Sequence, residues 1–215
     1  MPDIETEEQN LKWFSFGLAL SQLFGGVCLV LTAVWMGSDS GLALTKISEQ
    51  RFRYHPLFMV VGMVFLEGEA ILVFRVFRHE RKRFLRFFHV LLHLLAMGFA
   101  VAALVAVFDS KNSFCAGFTA FVFPRFSQTI RHEFVPIHHS IGLLLFSLVV
   151  MTALMGVCQR SAWHIRCWNH SEALSNVVGV SMLLYGLLVI YLASNHRYRR
   201  RSLTDDQIDQ QFLYQ

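Results

Sequence analysis

Apolar residues in this chain fall in long blocks separated by short polar stretches. Trp13–Met36, Pro56–Phe77, Phe87–Phe108, Phe134–Val157 and Ala173–Ala193 are each about twenty residues or longer, enough as helices to cross a hydrocarbon core of about 30 Å. In lipid every backbone N–H and C=O needs an internal partner, and a helix supplies it. The pattern therefore predicts an all-α, polytopic transmembrane helix bundle. Its divisions are an acidic cytoplasmic N-terminus (1–12), a membrane domain (13–193) and a basic, then polar, cytoplasmic tail (194–215). The first block follows "MPDIETEEQ", with no basic stretch before it, so it reads as a retained span and not a cleaved signal peptide.

Composition agrees: the 215 residues are 54% hydrophobic, above the 45–50% or so of soluble domains. The net charge of +4 is not a nucleic-acid signal. Its bases flank spans, in "RVFRHERKRFLR" (75–86), "PRFSQTIR" (124–131) and "RYRRR" (197–201). Such loops tend to stay cytoplasmic; Lys46, Arg51 and Arg53 give a weaker opposing signal. "NHS" at 169–171, on the opposite side, makes Asn169 a possible glycosylation site, usable only if that side is luminal or external. Cys158 and Cys167 flank the same loop and are either a disulfide or two free thiols. Cys28 and Cys115 read as small core residues. The sequence has no CxxC, Walker loop, GxSxG or HExxH motif.

The histidines carry the candidate chemistry. With the basic loops inside, His55 starts an inward-running span near the outer face. His89 in "RFFHVLLHLL" and His138 in "PIHHSIG" lie near the inner face on two different helices. Imidazoles at one depth on neighbouring helices can hold a haem or a metal. Each can equally be a core residue bonded to a carbonyl on the next helix. His93, four residues after His89, and His139 read as supporting or packing residues.

These residues sit in segments that resemble the cytochrome b561 family. The similar stretches are "HPLFMVVGMVFLEGEAILVFR" (55–75), "HVLLHLLA" (89–96), "LVAVF" (104–108), "FPRF" (123–126), "PIHHSIG" (136–142), "TALMG" (152–156) and "SEALSNVVGVSMLLYGLLVIY" (171–191). The resemblance implies six spans, two b-type haems, and electron transfer from cytoplasmic ascorbate to monodehydroascorbate or a ferric chelate across the membrane. It implies a protein embedded in lipid, a homodimer, and an endomembrane (secretory vesicle, endosome or lysosome) or plasma-membrane location. Residue by residue, it implies haem ligation by His55 and, at a second haem, by His89 and His138. It implies that Arg75 and Arg199 meet haem propionates and that Lys82, Arg86 and Arg131 bind ascorbate. Gln159 stands where many members carry an acid.

The family's fourth span, which carries the partner of His55, is mostly absent. After "VAVF" the chain reads "DSKNSFCAGFTAFVFPRF" (109–126), and no histidine lies between His93 and His132. The remnant 113–123 has 11 residues, about 16 Å as a helix and half the core thickness. The expectation is five full spans, a short remnant of the fourth, and one haem b stably held instead of two. His164 and His170 are the only outer-loop histidines able to replace the lost ligand; surface loop residues are the alternative. The competing functional reading is a truncated, catalytically impaired member binding one haem or none. A small transporter fits less well, because no pair of spans is visibly broken.

Overall fold

The computed structural model describes residues 4–38, 52–108, 128–162 and 170–198. The elements are α1 (Ile4–Gly37), α2 (Tyr54–Met59), a π-helical segment (Val60–Leu66), α3 (Glu67–Val76), α4 (Lys82–Phe108), α5 (Gln128–Ala162), α6 (His170–Ser194) and a 3₁₀ turn at His196–Tyr198. No strand occurs among the described residues. α2, the π segment and α3 run without a break and form the second span.

Five helices are long and apolar enough to cross a membrane: Gln9–Gly37, Tyr54–Val76, Lys82–Ala106, Ile137–Ser161 and Ala173–Ser194. They match the five apolar blocks of the sequence. The helices overrun those blocks: α1 begins at Ile4, within the acidic head, and α4 begins at Lys82, five residues before Phe87. Polar and basic residues continue a helix readily once it is nucleated, so the apolar block marks the membrane and not the helix. The fourth-span remnant at 113–123 lies outside the described residues.

Packing is uneven. The most extensive contact joins the first helix, α1, to the last, α6. On α6, Val178, Met182, Tyr185, Val189 and Leu192 are fully buried. Their alternating spacing of four and three is the seam of a left-handed helix pair. The facing stripe on α1 includes Phe14, Gly17, Ser21, Gly25, Cys28 and Trp35, all buried. Both helices are apolar all round, so this seam is drawn by side-chain size, not polarity; small residues let helix backbones approach in lipid. A Cβ on Gly25 would stand 2.9 Å from the rings of both Phe65 and Tyr185.

The second span fills the groove beside this pair. Tyr185 Oη donates to the Phe65 carbonyl (2.9 Å), which belongs to the π segment. At the inner end the buried Arg75 donates to the carbonyls of Ala193 and Asn195, at the C-terminus of α6. A cation there meets the unsatisfied carbonyls and the negative end of the helix dipole.

On its other side the second span carries α4 and α5. Gly62 marks the closest approach to α4: a Cβ there would fall 2.7 Å from the Phe99 Cβ and 2.8 Å from the Ala96 carbonyl oxygen. Ala96 and Ala103 are fully buried on that face. Among the described residues, α4 and α5 both rest on the second span and approach each other only sparsely. A slot is left between them, and the histidines stand in it.

Candidate functional site

His89 lies two turns into α4, and His138 lies on α5. Their ring centres are 6.1 Å apart, with planes inclined at 78°. The His89 Nδ1 is 2.9 Å from the Ala70 carbonyl oxygen on α3. A carbonyl only accepts, so Nδ1 carries the proton and Nε2 keeps its lone pair. Metal-bound histidines are commonly oriented in this way, by giving the other N–H to a carbonyl or carboxylate. A metal–imidazole bond is about 2.0–2.1 Å, so two rings bound on opposite sides of one ion have centres roughly 6 Å apart. The pair therefore fits an axially held haem iron, on ring separation and on the donor arrangement of His89.

His93, one turn beyond His89, has two contacts. Its Nε2 is 3.2 Å from the His89 Nε2. Its Nδ1 is 2.7 Å from the Glu67 Oε2, with the side chains 37% and 21% exposed. The His89 ring is also 5.4 Å, edge to face, from that of Phe74. His139 is half-buried beside His138.

His55 is at the other end of the second span. Its Nδ1 donates to the Ala103 carbonyl on α4 (3.1 Å), and its ring stacks on Phe52 at 6.0 Å. It shows the same tautomer as His89, with Nε2 left for a ligand, but no second imidazole faces it among the described residues. His164 lies outside them. His170 opens α6, and only its backbone is described.

The cations expected at the inner mouth lie on the helices that carry the inner histidines. Lys82 opens α4, and the exposed Arg86 turns back along the same helix, its Nε donating to the Lys82 carbonyl (3.3 Å). Arg131 sits in the first turn of α5, with its backbone described. Lys82 and Arg131 each precede their histidine by seven residues, about 10 Å along a helix. Arg75, expected at a propionate, has its guanidinium on the α6 carbonyls instead of facing His89 or His138 alone; burial next to unsatisfied carbonyls gives it that partner. Arg199 and Asn169 lie outside the described residues. Gln159 is exposed on α5. Cys158 is an exposed free thiol, so the pairing with Cys167 is not formed in this structure; Cys167 and Cys115 lie outside the described residues.

Residue-type spacing alone missed Glu67, the Ala70 carbonyl, and a second polar cluster on the far side of α3. There Glu69 Oε1 accepts from Gln22 Nε2 (2.8 Å) and Tyr185 Oη (3.1 Å). Glu69 and Gln22 are the polar residues of an otherwise apolar groove of about 410 Å³ between α1, the second span and α4. Two carboxylates inside the apolar run "FLEGEAIL" were the available signal, since ionisable groups in spans are rare and seldom idle.

Comparison with known proteins gives the same answer as the motifs. The family described as eukaryotic cytochrome b561 matches in two pieces, residues 54–114 and 112–164. The Caenorhabditis elegans homologue of the transmembrane ascorbate-dependent reductase CYB561 is 36% identical over 240 residues, covering 94% of this chain and 90% of its own length. The human transmembrane ascorbate-dependent reductase CYB561 is 33% identical over 218 residues, covering 88% of this chain and 86% of its own. A plasma membrane ascorbate-dependent reductase, CYBRD1 of Xenopus tropicalis, is 28% identical over 89% of this chain and 79% of its own. The nematode alignment spans 240 positions against a chain of 215. At least 25 of its positions (240 − 215) thus have no counterpart here, and the family match divides at 112–114, where the fourth span is expected. With five membrane-crossing helices, the motifs around His55, His89 and His138, and relatives of this similarity, the chain is an integral, multi-pass membrane protein of the cytochrome b561 family.

Proposed function

We propose that this chain moves single electrons across a membrane, from ascorbate on the cytoplasmic side toward monodehydroascorbate or a ferric chelate on the luminal or outer side. The observation that carries the reading is the facing pair His89 and His138, with the His89 Nδ1 tied to Ala70 so that Nε2 is presented to the slot. His89 and His138 hold the inner haem b axially. Haem supplies one-electron chemistry when bound, which suits ascorbate as a donor. Lys82, Arg86 and Arg131 draw the ascorbate monoanion to the inner mouth, as point charges and guanidinium forks do for small anions. Arg75 and Arg199 lie at the inner end, where propionates would be neutralised.

His55 is the ligand of the family's outer haem, and its partner belongs to the segment this chain lacks. We therefore assign one stably bound haem to the chain, with passage to the outer side impaired. The divided family match and the long alignments favour this truncated reading over a fully competent reductase. The membrane domain is assigned to 13–193, with 1–12 and 194–215 cytoplasmic. The protein is placed in an endomembrane or the plasma membrane as a homodimer. The deciding measurement is haem per polypeptide, by pyridine haemochrome on the purified chain. One haem is expected. None would remove the electron-transfer reading, and two, with one lost in His55→Ala, would restore the complete relay.

A further inference from the structure

We propose that His89 and His93 form a chelating site for a divalent late first-row cation such as Zn²⁺ or Cu²⁺, independent of the haem assignment and in competition with it. The two rings are four residues apart on one face of α4, a spacing that two-histidine helical metal sites use. Their Nε2 atoms are 3.2 Å apart. Two metal–nitrogen bonds of about 2.0–2.1 Å to one ion, at angles between square and tetrahedral, separate their donors by about 3.0–3.4 Å. Each ring is also held from behind at Nδ1, His89 by the Ala70 carbonyl at 2.9 Å and His93 by Glu67 Oε2 at 2.7 Å. Both outer supports of a metal-bound histidine are thus in place, and both aim a lone pair at one point. The partial exposure of His93 and Glu67 gives an ion access.

Among the described residues no third His, Cys, Asp or Glu completes a ligand set. Water or a small anion fills the remaining positions, so the site is open rather than structural. Imidazole donors suit copper, zinc and nickel and disfavour magnesium. The rival explanation of the 3.2 Å separation is a simple ring-to-ring hydrogen bond, in which one Nε2 carries a proton. The His89 Nε2 cannot serve the ion and a haem iron together. A bound ion therefore blocks haem uptake, and a bound haem excludes the ion.

The test uses the full chain in detergent, stripped with chelator, with its haem content recorded, and Zn²⁺ alone as the probe. Equilibrium dialysis should give one Zn²⁺ per haem-free chain, unaffected by excess Mg²⁺, and preloaded Zn²⁺ should slow haem uptake. Glu67→Gln should weaken Zn²⁺ ten- to hundredfold, the usual cost of losing an outer support. His93→Ala should weaken it at least tenfold while the chain still takes up haem with a low-spin spectrum, which shows that it is folded. His139→Ala should leave the affinity alone. His138→Ala should lose the haem and keep the ion, which separates this site from the haem reading. Zn²⁺ affinity unchanged in His93→Ala, or lost equally in His139→Ala, would overturn the proposal and leave a hydrogen-bonded pair.

Discussion

The two sides of the second span are built in opposite ways. On one side, α1 and α6 interlock through a size-graded seam; within the most apolar stretch of α6, 44% of the residues are buried. On the other side, α4 and α5 carry His89 and His138 but bury only 17% and 11% of theirs. The first half spends its contacts on rigidity. The second keeps a slot, because two helices that must admit a flat group between them cannot also interdigitate. Lipid tails are as apolar as leucine, so the open half loses little by facing them. The difference shows that in this fold the cofactor side is positioned from a braced side, through a few hydrogen bonds that cross the second span.

The comparison can be broken most severely at the slot. His89→Ala or His138→Ala should each abolish low-spin b-type absorbance while the helix content stays unchanged by circular dichroism; full spectra in both would mean the slot does not hold haem. Next is packing. Leu192→Ala, at a fully buried seam position, should cost about 2–5 kcal/mol, whereas Leu148→Ala, 55% exposed on α5, should change stability by less than about 0.5 kcal/mol. Unfolding in graded detergent mixtures would show whether the two halves differ in this way; equal losses would erase the contrast. Replacing Lys82, Arg86 or Arg131 by Ala should weaken ascorbate reduction of the haem. Each charge-assisted contact is worth roughly 1.5–3 kcal/mol, so stopped-flow rates at low ascorbate should fall about ten- to hundredfold with the spectrum intact. Three unchanged rates would remove the ascorbate site. The smallest expected effect is at His55: its replacement by Ala should leave haem stoichiometry at one per chain.

The apolar blocks made the five spans legible, because the membrane demands long uninterrupted runs. The basic loops made His89 and His138 legible as a pair, because they fixed which end of each span lies inside. The rest depended on information that one-dimensional spacing does not contain. The π segment Val60–Leu66 has no proline or polar interruption to announce it. The partner of His89 is a backbone carbonyl, which every residue has. Glu67 meets His93 only because α3 and α4 pack at a particular rotation, set by Gly62 against Ala96. Arg75 reads as a ligand-facing cation at the end of a span, but α6 offers it bare carbonyls 118 residues further along.

The brace between α1 and α6 also has a consequence for the order in which the protein can be made. Chains enter the membrane from the N-terminus during synthesis. α1 is thus among the first segments in the bilayer and waits for its chief partner until the ribosome has delivered the last span. Arg75 waits equally long for its carbonyls. The helices that bear His89 and His138 are both complete before α6 exists. During biogenesis the slot is therefore assembled first, on an unbraced frame, and the tight half closes behind it like a clasp.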